Sequence, residues 1–170
     1  MYDLENYNRC HVQDYNVEQF DLPAFIDANK QTSDGTWWNI YESREQFSEH
    51  TAQLRKELET MFDDEFPYMG VWDYYPGFVD IQGPHFDKGN LENAVIFMVP
   101  RGELTVTLHD PENKEVLDSK TLSGNNIMVL HHTKFMHDVK GVGELVVFGL
   151  SKKFDTEKFF KKDKLSFNKR

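Results

Sequence analysis

The chain has 170 residues, of which 39% are hydrophobic and 14% aromatic, a composition that is typical of one globular domain and excludes a disordered chain. The formal net charge of −10 argues against a general nucleic-acid surface, because such affinity is carried largely by Lys and Arg. No apolar run reaches the ~18 residues of a membrane span, and the polar N-terminus has no signal-peptide pattern, so we expect no membrane association. The single cysteine, Cys10, excludes an intrachain disulfide and suits a cytoplasmic protein.

The first 67 residues are predicted to form a mostly helical scaffold. Residues 1–16 are polar without a clear period, which indicates an edge strand or a loose arm. Residues 21–28 begin with an aspartate near the cap and a proline in the first turn, as helices often do. Residues 43–62 open with a capping box, Ser-Arg-Glu-Gln, and carry apolar side chains at helical spacing. We therefore predict that this second helix lies across a sheet.

A pair of tryptophans lies between these two predicted helices. Residues 37–41, Trp-Trp-Asn-Ile-Tyr, are predicted to form a strand, because aromatic and β-branched residues favour extended backbone. Trp37 and Trp38 could line a substrate groove. They could equally pack under the helix that follows, since tryptophan is usually buried.

From residue 68 the chain has the spacing of an all-β domain. Short apolar or alternating segments are separated by turn residues, including Pro-Arg-Gly at 100–102, Asp-Pro-Glu-Asn at 110–113 and Lys-Gly-Val-Gly at 140–143. About seven or eight antiparallel strands after N-terminal helices predict a mainly β fold, the double-stranded β-helix or jelly-roll barrel. The predicted strands span residues 68–75, 78–82, 93–99, 103–109, 115–122, 127–130 and 144–151.

These segments are predicted to form a single domain, 1–170, in three parts. The N-terminal scaffold spans 1–67, the β core 68–151, and a basic tail or short helix 152–170. The tail carries eight of the 19 basic residues and three acidic ones, a local net charge of +5. Its ordinary interpretation is a solvated helix end or a frayed terminus, although such a charge also allows contact with an acidic partner or nucleic acid.

Two short motifs in the β core carry the candidate chemistry. His85 and Asp87 stand two positions apart, and side chains at i and i+2 project to the same face of an extended chain. A third ligand must then come from a distant strand, and His137 is placed to supply it. Two neutral imidazoles and one carboxylate on one face of an ion leave the opposite positions open, as in the facial triad of non-haem Fe(II) oxygenases. We therefore predict a metal site formed by these three residues.

The two motifs also carry a resemblance to a known family. The order Gly-Pro-His-Phe-Asp at 83–87, then apolar strands, then Met-His-Asp-Val at 136–139 resembles the Fe(II)/2-oxoglutarate-dependent oxygenases, especially their prolyl-hydroxylase-like branch. The resemblance covers residues 68–151 and extends weakly to the N-terminal helices. It implies an oxidoreductase, a dioxygenase that uses Fe(II), 2-oxoglutarate and O2 to hydroxylate a peptide side chain, a nucleoside or a small metabolite. It also implies that the predicted triad holds the iron.

One position departs from the family pattern. Members of the family place an Arg or Lys on the strand after the distal His, where it binds the far carboxylate of 2-oxoglutarate, whereas this chain has Glu144 at or close to that position. A carboxylate cannot pair with a carboxylate near neutral pH. We therefore expect one of two outcomes. Either another residue binds the co-substrate, with Arg101, Lys140 and Tyr74 as candidates, or 2-oxoglutarate is not used.

The remaining polar residues leave alternatives open. His131 or His132 could be the distal ligand in place of His137, and His109 alternates with threonines and could face the barrel mouth beside a substrate. The position of Glu92 after the first motif faintly resembles cupin ligand spacing. A second hypothesis is therefore a cupin-like or decayed barrel that binds a metal or ligand without oxygenase chemistry. A third is a structural jelly roll without a site.

Overall fold

The structure is a computed structural model, and it describes the β core almost completely together with parts of the scaffold. Within this described part, no helix is long and apolar enough to cross a membrane. The described residues are 10–14, 37–39, 56, 59–60, 62–64, 68–74, 83–88, 92–124 and 126–155.

Among the described residues, seven strands form one antiparallel sheet. They pair in the order β1-β6-β4-β7-β3-β2, and β5 pairs with β4 off this path. The mainly β prediction is confirmed, and of the two alternatives for residues 1–16, an edge strand or a loose arm, the strand is present as β1. The strands are β1 (Cys10–Asp14), β2 (Trp37–Asn39), β3 (Tyr68–Tyr74), β4 (Glu92–His109), β5 (Val116–Ser123), β6 (Asn126–Leu130) and β7 (Met136–Ser151).

β4 is one continuous strand where the sequence predicted two strands and a turn. Its first part pairs with β6, its second part pairs with β5, and β7 pairs with both parts on the other side. The register with β7 shifts between Met98 and Arg101, so a β-bulge lies there within a continuous strand, and the turn prediction at 100–102 was wrong. Pro100 lacks an amide donor and Gly102 has a φ of 84°, and both properties suit a bulge as well as a turn. The turn predicted at 140–143 likewise lies within β7.

The two faces of β4 and β7 bury different sets of apolar side chains. Alternation along β7 places His137, Val139, Leu145 and Val147 on one side, and we call this side the inner face. The opposite side of the sheet, the outer face, buries Ile96, Met98, Val146 and Phe148 among others. The apolar cluster of the inner face comprises Tyr74, Val95, Phe97, Val99, Leu104, Val106, Leu108, Leu122, Met128, Leu130, Phe135, Val139, Leu145 and Val147, with Trp72 and Leu117 packed against it.

A short stretch of the predicted scaffold is described, and it contacts the end of β7. Lys56, Glu59, Thr60 and Phe62 have helical backbone, near the end of the helix predicted over 43–62. The carboxylate of Asp64 accepts hydrogen bonds from the backbone N–H and the hydroxyl of Ser151. The rings of Phe62 and Phe154 meet edge to face at 6.0 Å. The rest of that helix, the helix at 21–28, the strand at 78–82 and most of the tail lie outside the described residues.

Gly102, which follows the bulge of β4 and pairs with Gly143, lies too close to β7 to carry a side chain. Its φ is positive, and a Cβ atom there would overlap the backbone carbonyl oxygen of Val142 on β7. We therefore expect Gly102→Ala to lower the free energy of unfolding by about 2–3 kcal/mol in chemical denaturation, from backbone strain and steric overlap together. Gly124→Ala is the matched control, because Gly124 also has a positive φ but open space around its Cα. The control should lose only about 1 kcal/mol, and equal losses would contradict this account of the bulge.

Candidate metal centre

Backbone pairing brings the two predicted histidines together. His85 and His137 form an isolated antiparallel bridge, and each donates its N–H to the carbonyl of the other, at 3.0 and 2.9 Å. Directly opposed residues of an antiparallel pair project their side chains to the same side of the sheet. The two rings accordingly lie with their centroids 4.8 Å apart. Asp87 is held by a further backbone bond, from its N–H to the carbonyl of His132 at 3.1 Å.

The side chains of His85, Asp87 and His137 converge. Nε2 of His85 lies 3.1 Å from Oδ1 of Asp87, and Nε2 of His137 lies 3.2 Å from Oδ2 of the same carboxylate. The three potential ligand atoms all lie within 4.8 Å of one another. The side chain of His137 is 2% exposed, whereas those of His85 and Asp87 are 25% and 38% exposed. The cluster is therefore closed on the side of His137 and open to solvent on the other.

Both histidines are oriented by a backbone carbonyl two residues earlier. Nδ1 of His85 lies 2.7 Å from the carbonyl oxygen of Gly83, and Nδ1 of His137 lies 2.9 Å from that of Phe135. A carbonyl oxygen only accepts, so each Nδ1 must carry the proton and donate it. In the neutral ring this leaves the lone pair on Nε2, which faces the Asp87 carboxylate.

That arrangement suits a cation. Two imidazole lone pairs and a carboxylate cannot satisfy one another, because none of them has a hydrogen to donate. Either the rings take up protons, or a positive ion lies between the three groups. A second hydrogen bond that holds the far ring nitrogen is also the usual companion of a metal-binding histidine. The donor set of two nitrogens and one carboxylate fits a divalent transition metal of the iron type.

The pKa of the Asp87 carboxyl reflects these neighbours. Burial raises this pKa, but the hydrogen bonds with His137 and His85, and the charges of His137 and His132, lower it by more. The net result is a pKa well below the usual aspartate range. Asp87 is therefore ionised throughout the neutral and mildly acidic range, and it needs to lose no proton to bind a metal.

The lowered pKa of Asp87 leads to a prediction for the metal-free protein. A carboxyl whose folded-state pKa lies below its unfolded value contributes stability above the unfolded pKa, and this contribution is lost as the pH falls towards the folded pKa. We therefore expect the stability difference between wild type and Asp87→Asn to shrink as the pH falls below about 4. Urea denaturation of both chains at several pH values in a chelating buffer measures this difference. A difference that grows below pH 4 would contradict the assignment.

Two of the predicted co-substrate residues do not face the triad. Lys140 alternates with Val139 on β7 and is exposed on the outer face. Arg101 pairs in register with Glu144, and its guanidinium binds both carboxylate oxygens, with Nη2 2.8 Å from Oε2. Glu144 lies on the outer face by alternation from His137. The structure thus places both predicted anchors on the side of the sheet opposite to the triad.

Of the other predicted residues whose side chains are described, Tyr74 shares the inner face and His109 does not. Tyr74 is buried in the inner-face cluster and lies opposite Gly143 of β7. His109 is buried on the outer face instead. Its side chain forms a hydrogen bond with that of Asp138, the residue next to His137. It therefore lies on the side of the sheet opposite to the triad, and not beside it as the sequence suggested. The predicted strand of the tryptophan pair is present as β2, but the side chains of these two residues lie outside the described part.

The alternative distal ligands are close to the site but outside the convergent cluster. His131 meets the ring of Phe135 edge to face at 6.3 Å, and His132 is buried. Neither belongs to the group of side chains whose ligand atoms converge. The backbone carbonyl of His132 holds Asp87 in place, because it accepts a hydrogen bond from the N–H of Asp87.

Sequence reasoning missed a buried pair next to the site. Nε2 of His109 lies 2.9 Å from Oδ2 of Asp138, and its Nδ1 lies 3.0 Å from the carbonyl oxygen of Lys114. These two contacts tie the β4–β5 turn to β7 beside His137. The sequence does carry a signal for this position. Thr105, Thr107 and His109 alternate with apolar residues and therefore share one face of the strand, a face that the sequence analysis assigned to the barrel mouth.

Comparisons with known proteins bear on the fold. No protein-family model and no curated protein matches the chain. Among solved structures, it is similar to YcfD, a ribosomal oxygenase from Escherichia coli in complex with cobalt and 2-oxoglutarate, with 14% identity and a TM-score of 0.54 over 89% of this chain and 50% of that chain. An X-ray structure of E. coli YcfD gives 13% and 0.51, over 86% and 51%. This likeness confirms the predicted jelly-roll fold, and the chain spans about half the length of these structures.

Proposed function

We propose that the chain is a metal-dependent oxygenase in which His85, Asp87 and His137 bind Fe(II). The observation that carries the proposal is the convergence of three ligand atoms with both Nδ1 atoms already engaged by backbone carbonyls. The likeness to YcfD supports the reaction class, because YcfD is a ribosomal oxygenase whose structure holds cobalt and 2-oxoglutarate. The proposed substrate is a peptide side chain or a small molecule.

The protein residues would hold and orient the reacting groups. His137 forms the buried wall of the site, and the exposed side of His85 and Asp87 leaves room for ligands that arrive from solvent. When bound, Fe(II) would use O2 and a 2-oxo acid, which leaves as CO2 and a shorter acid that keeps one oxygen atom, while the other oxygen atom enters a C–H bond of the substrate. The carbonyls of Gly83 and Phe135 fix the two imidazoles in the tautomer that binds metal.

2-Oxoglutarate fits this site at one end only. Its 2-oxo acid end matches a metal with open positions. Its far carboxylate needs a cation, and the six Lys and Arg residues of the β core are all exposed. This observation keeps the cupin-like alternative as a second candidate, in which the barrel binds a metal without oxygenase chemistry.

Oxygen consumption separates the two candidates. We expect the Fe(II)-reconstituted chain to consume O2 slowly when a 2-oxo acid is added without substrate, and to release the corresponding CO2. Asp87→Ala, reconstituted in the same way, is the control and should consume none above the level of free iron. Equimolar metal binding with no oxygen consumption for any 2-oxo acid would favour the cupin-like barrel instead.

A further inference from the structure

β5 forms one edge of the described sheet. It pairs with β4, and no other described strand pairs with it. Five of its eight residues are exposed, among them Ser119, Thr121 and Ser123. An edge strand presents backbone N–H and carbonyl groups to any further strand that meets it, including a strand of another chain.

The direction of each peptide group on β5 follows from the bridge at the triad. His85 and His137 bond to each other through their N–H and carbonyl groups, so these groups of His137 point away from β4 on the other side of β7. Peptide groups alternate in direction along a strand, so those of Asp138 point to β4 and meet Thr107, its partner in register. Thr107 therefore uses its own groups on β7. Its partner on β5 is Ser119, whose N–H and carbonyl must then point away from β4.

Two of the outward N–H groups are bonded to side chains of the same chain. By the same alternation, the N–H groups of Thr121 and Ser123 also point outward. The N–H of Ser119 donates to Oδ1 of Asp118 at 2.9 Å, and the N–H of Ser123 donates to Oδ1 of Asn126 at 3.3 Å. The outward N–H groups on both sides of Thr121 therefore already have acceptors.

A second copy of β5 is the strand that this edge would fit. In an antiparallel pair about a two-fold axis at Thr121, Ser119 of one copy lies opposite Ser123 of the other, so outward groups meet outward groups. That pairing requires the N–H groups of both serines to leave their side-chain acceptors in each copy. It also brings two exposed Lys120 side chains to diagonal positions on one face, where like charges repel.

We propose that Asp118 and Asn126 are edge caps that keep the chain from associating with a second copy of itself through β5. The caps satisfy the N–H groups that such a dimer needs, and they do so within the monomer. β5 carries none of the triad residues, so this role is independent of the proposed function.

Removal of both edge caps should open the edge. In the double variant Asp118→Ala with Asn126→Ala, the outward N–H groups lose their acceptors, so pairing no longer breaks hydrogen bonds in either copy. We expect sedimentation velocity of the full chain to give a self-association constant at least about tenfold larger than that of wild type. No increase over wild type, up to the highest soluble concentration, would overturn the proposal.

Asp118→Asn is the matched control for charge. It removes the same negative charge as the double variant but keeps the Oδ1 acceptor. This variant should associate as wild type does, within about twofold. If it associated as strongly as the double variant, loss of the charge would be responsible, and the capping role would be wrong.

Thr121→Pro shows where the added association occurs. The N–H of Thr121 points outward, so proline removes the central donor of the dimer without breaking a bond to β4. Added to the double variant, it should return the association constant to within about twofold of wild type. Thr121→Ala is its control, because it loses the hydroxyl that lies 3.0 Å from that of Thr105 but keeps the N–H, and it should leave the association in place. Association that persists in the proline variant, with an unchanged circular dichroism spectrum, would mean that the copies meet elsewhere and would refute the proposal.

Discussion

Asp87→Ala should abolish stoichiometric metal binding while the fold persists. Asp87 supplies the only carboxylate of the convergent cluster and contacts Nε2 of both histidines. Loss of an outer-shell partner alone typically costs 10–100-fold in metal affinity, so loss of a direct ligand should cost at least about a hundredfold. Titration with Co(II) or Mn(II), followed by calorimetry or by metal analysis after gel filtration, measures this loss.

His131→Ala is the matched control for this experiment. His131 lies in the turn between β6 and β7 and is partly exposed, but it is outside the convergent cluster. This variant should keep one metal ion per chain with an affinity within a few fold of wild type. If His131→Ala lost the metal and Asp87→Ala kept it, the assignment of ligands would be wrong. Circular dichroism of both variants checks that the β-sheet signal is unchanged.

His109→Ala should cost about 3–5 kcal/mol in the free energy of unfolding. His109 and Asp138 are both buried, and their side chains form a hydrogen-bonded pair at 2.9 Å. Removal of the imidazole leaves the Asp138 carboxylate and the Lys114 carbonyl without this donor, and removal of one partner of a buried pair typically has a cost of this size. Chemical denaturation of the metal-free protein measures it.

A second substitution separates charge from packing. In the double variant His109→Ala with Asp138→Asn, the uncompensated carboxylate is gone, so part of the lost stability should return. Thr107→Ala is the control, because Thr107 lies two positions earlier on the same strand and its hydroxyl makes only a 3.4 Å contact with Ser119. We expect this control to lose less than about 1 kcal/mol. If the double variant were less stable than His109→Ala, the pair would owe its stability to packing.

The fold class was predictable from the sequence, but the sequence did not show that β4 is one continuous strand. Alternation and turn spacing predicted antiparallel strands over the β core, and all of β3 to β7 overlap the predicted segments. The Pro-Arg-Gly segment at 100–102 was predicted as a turn, because Pro and Gly favour turns and bulges for the same reasons. Pairing with β7 on one side decides between the two, and such long-range pairing leaves no local signature.

The convergence of His85, Asp87 and His137 was predictable because its signal in the sequence is local and ordered. The i, i+2 spacing of His85 and Asp87 implies a common face whatever the rest of the fold does. The carbonyls of Gly83 and Phe135 were not predictable, because every residue has a carbonyl and only the fold orients it. The face of the sheet on which Arg101 lies was not predictable for a similar reason. Its distance along the chain from His85 does not say which face of the sheet it occupies.

A crystal structure of the Co(II)-loaded chain, with anomalous scattering measured at the cobalt edge, would test the central claim most directly. The account predicts one strong anomalous peak about 2.0–2.3 Å from Nε2 of His85, Nε2 of His137 and a carboxylate oxygen of Asp87. The Nδ1 contacts to the carbonyls of Gly83 and Phe135 should remain. A peak at His131 or His132 instead, or no ordered ion between the three side chains at saturating metal, would contradict it.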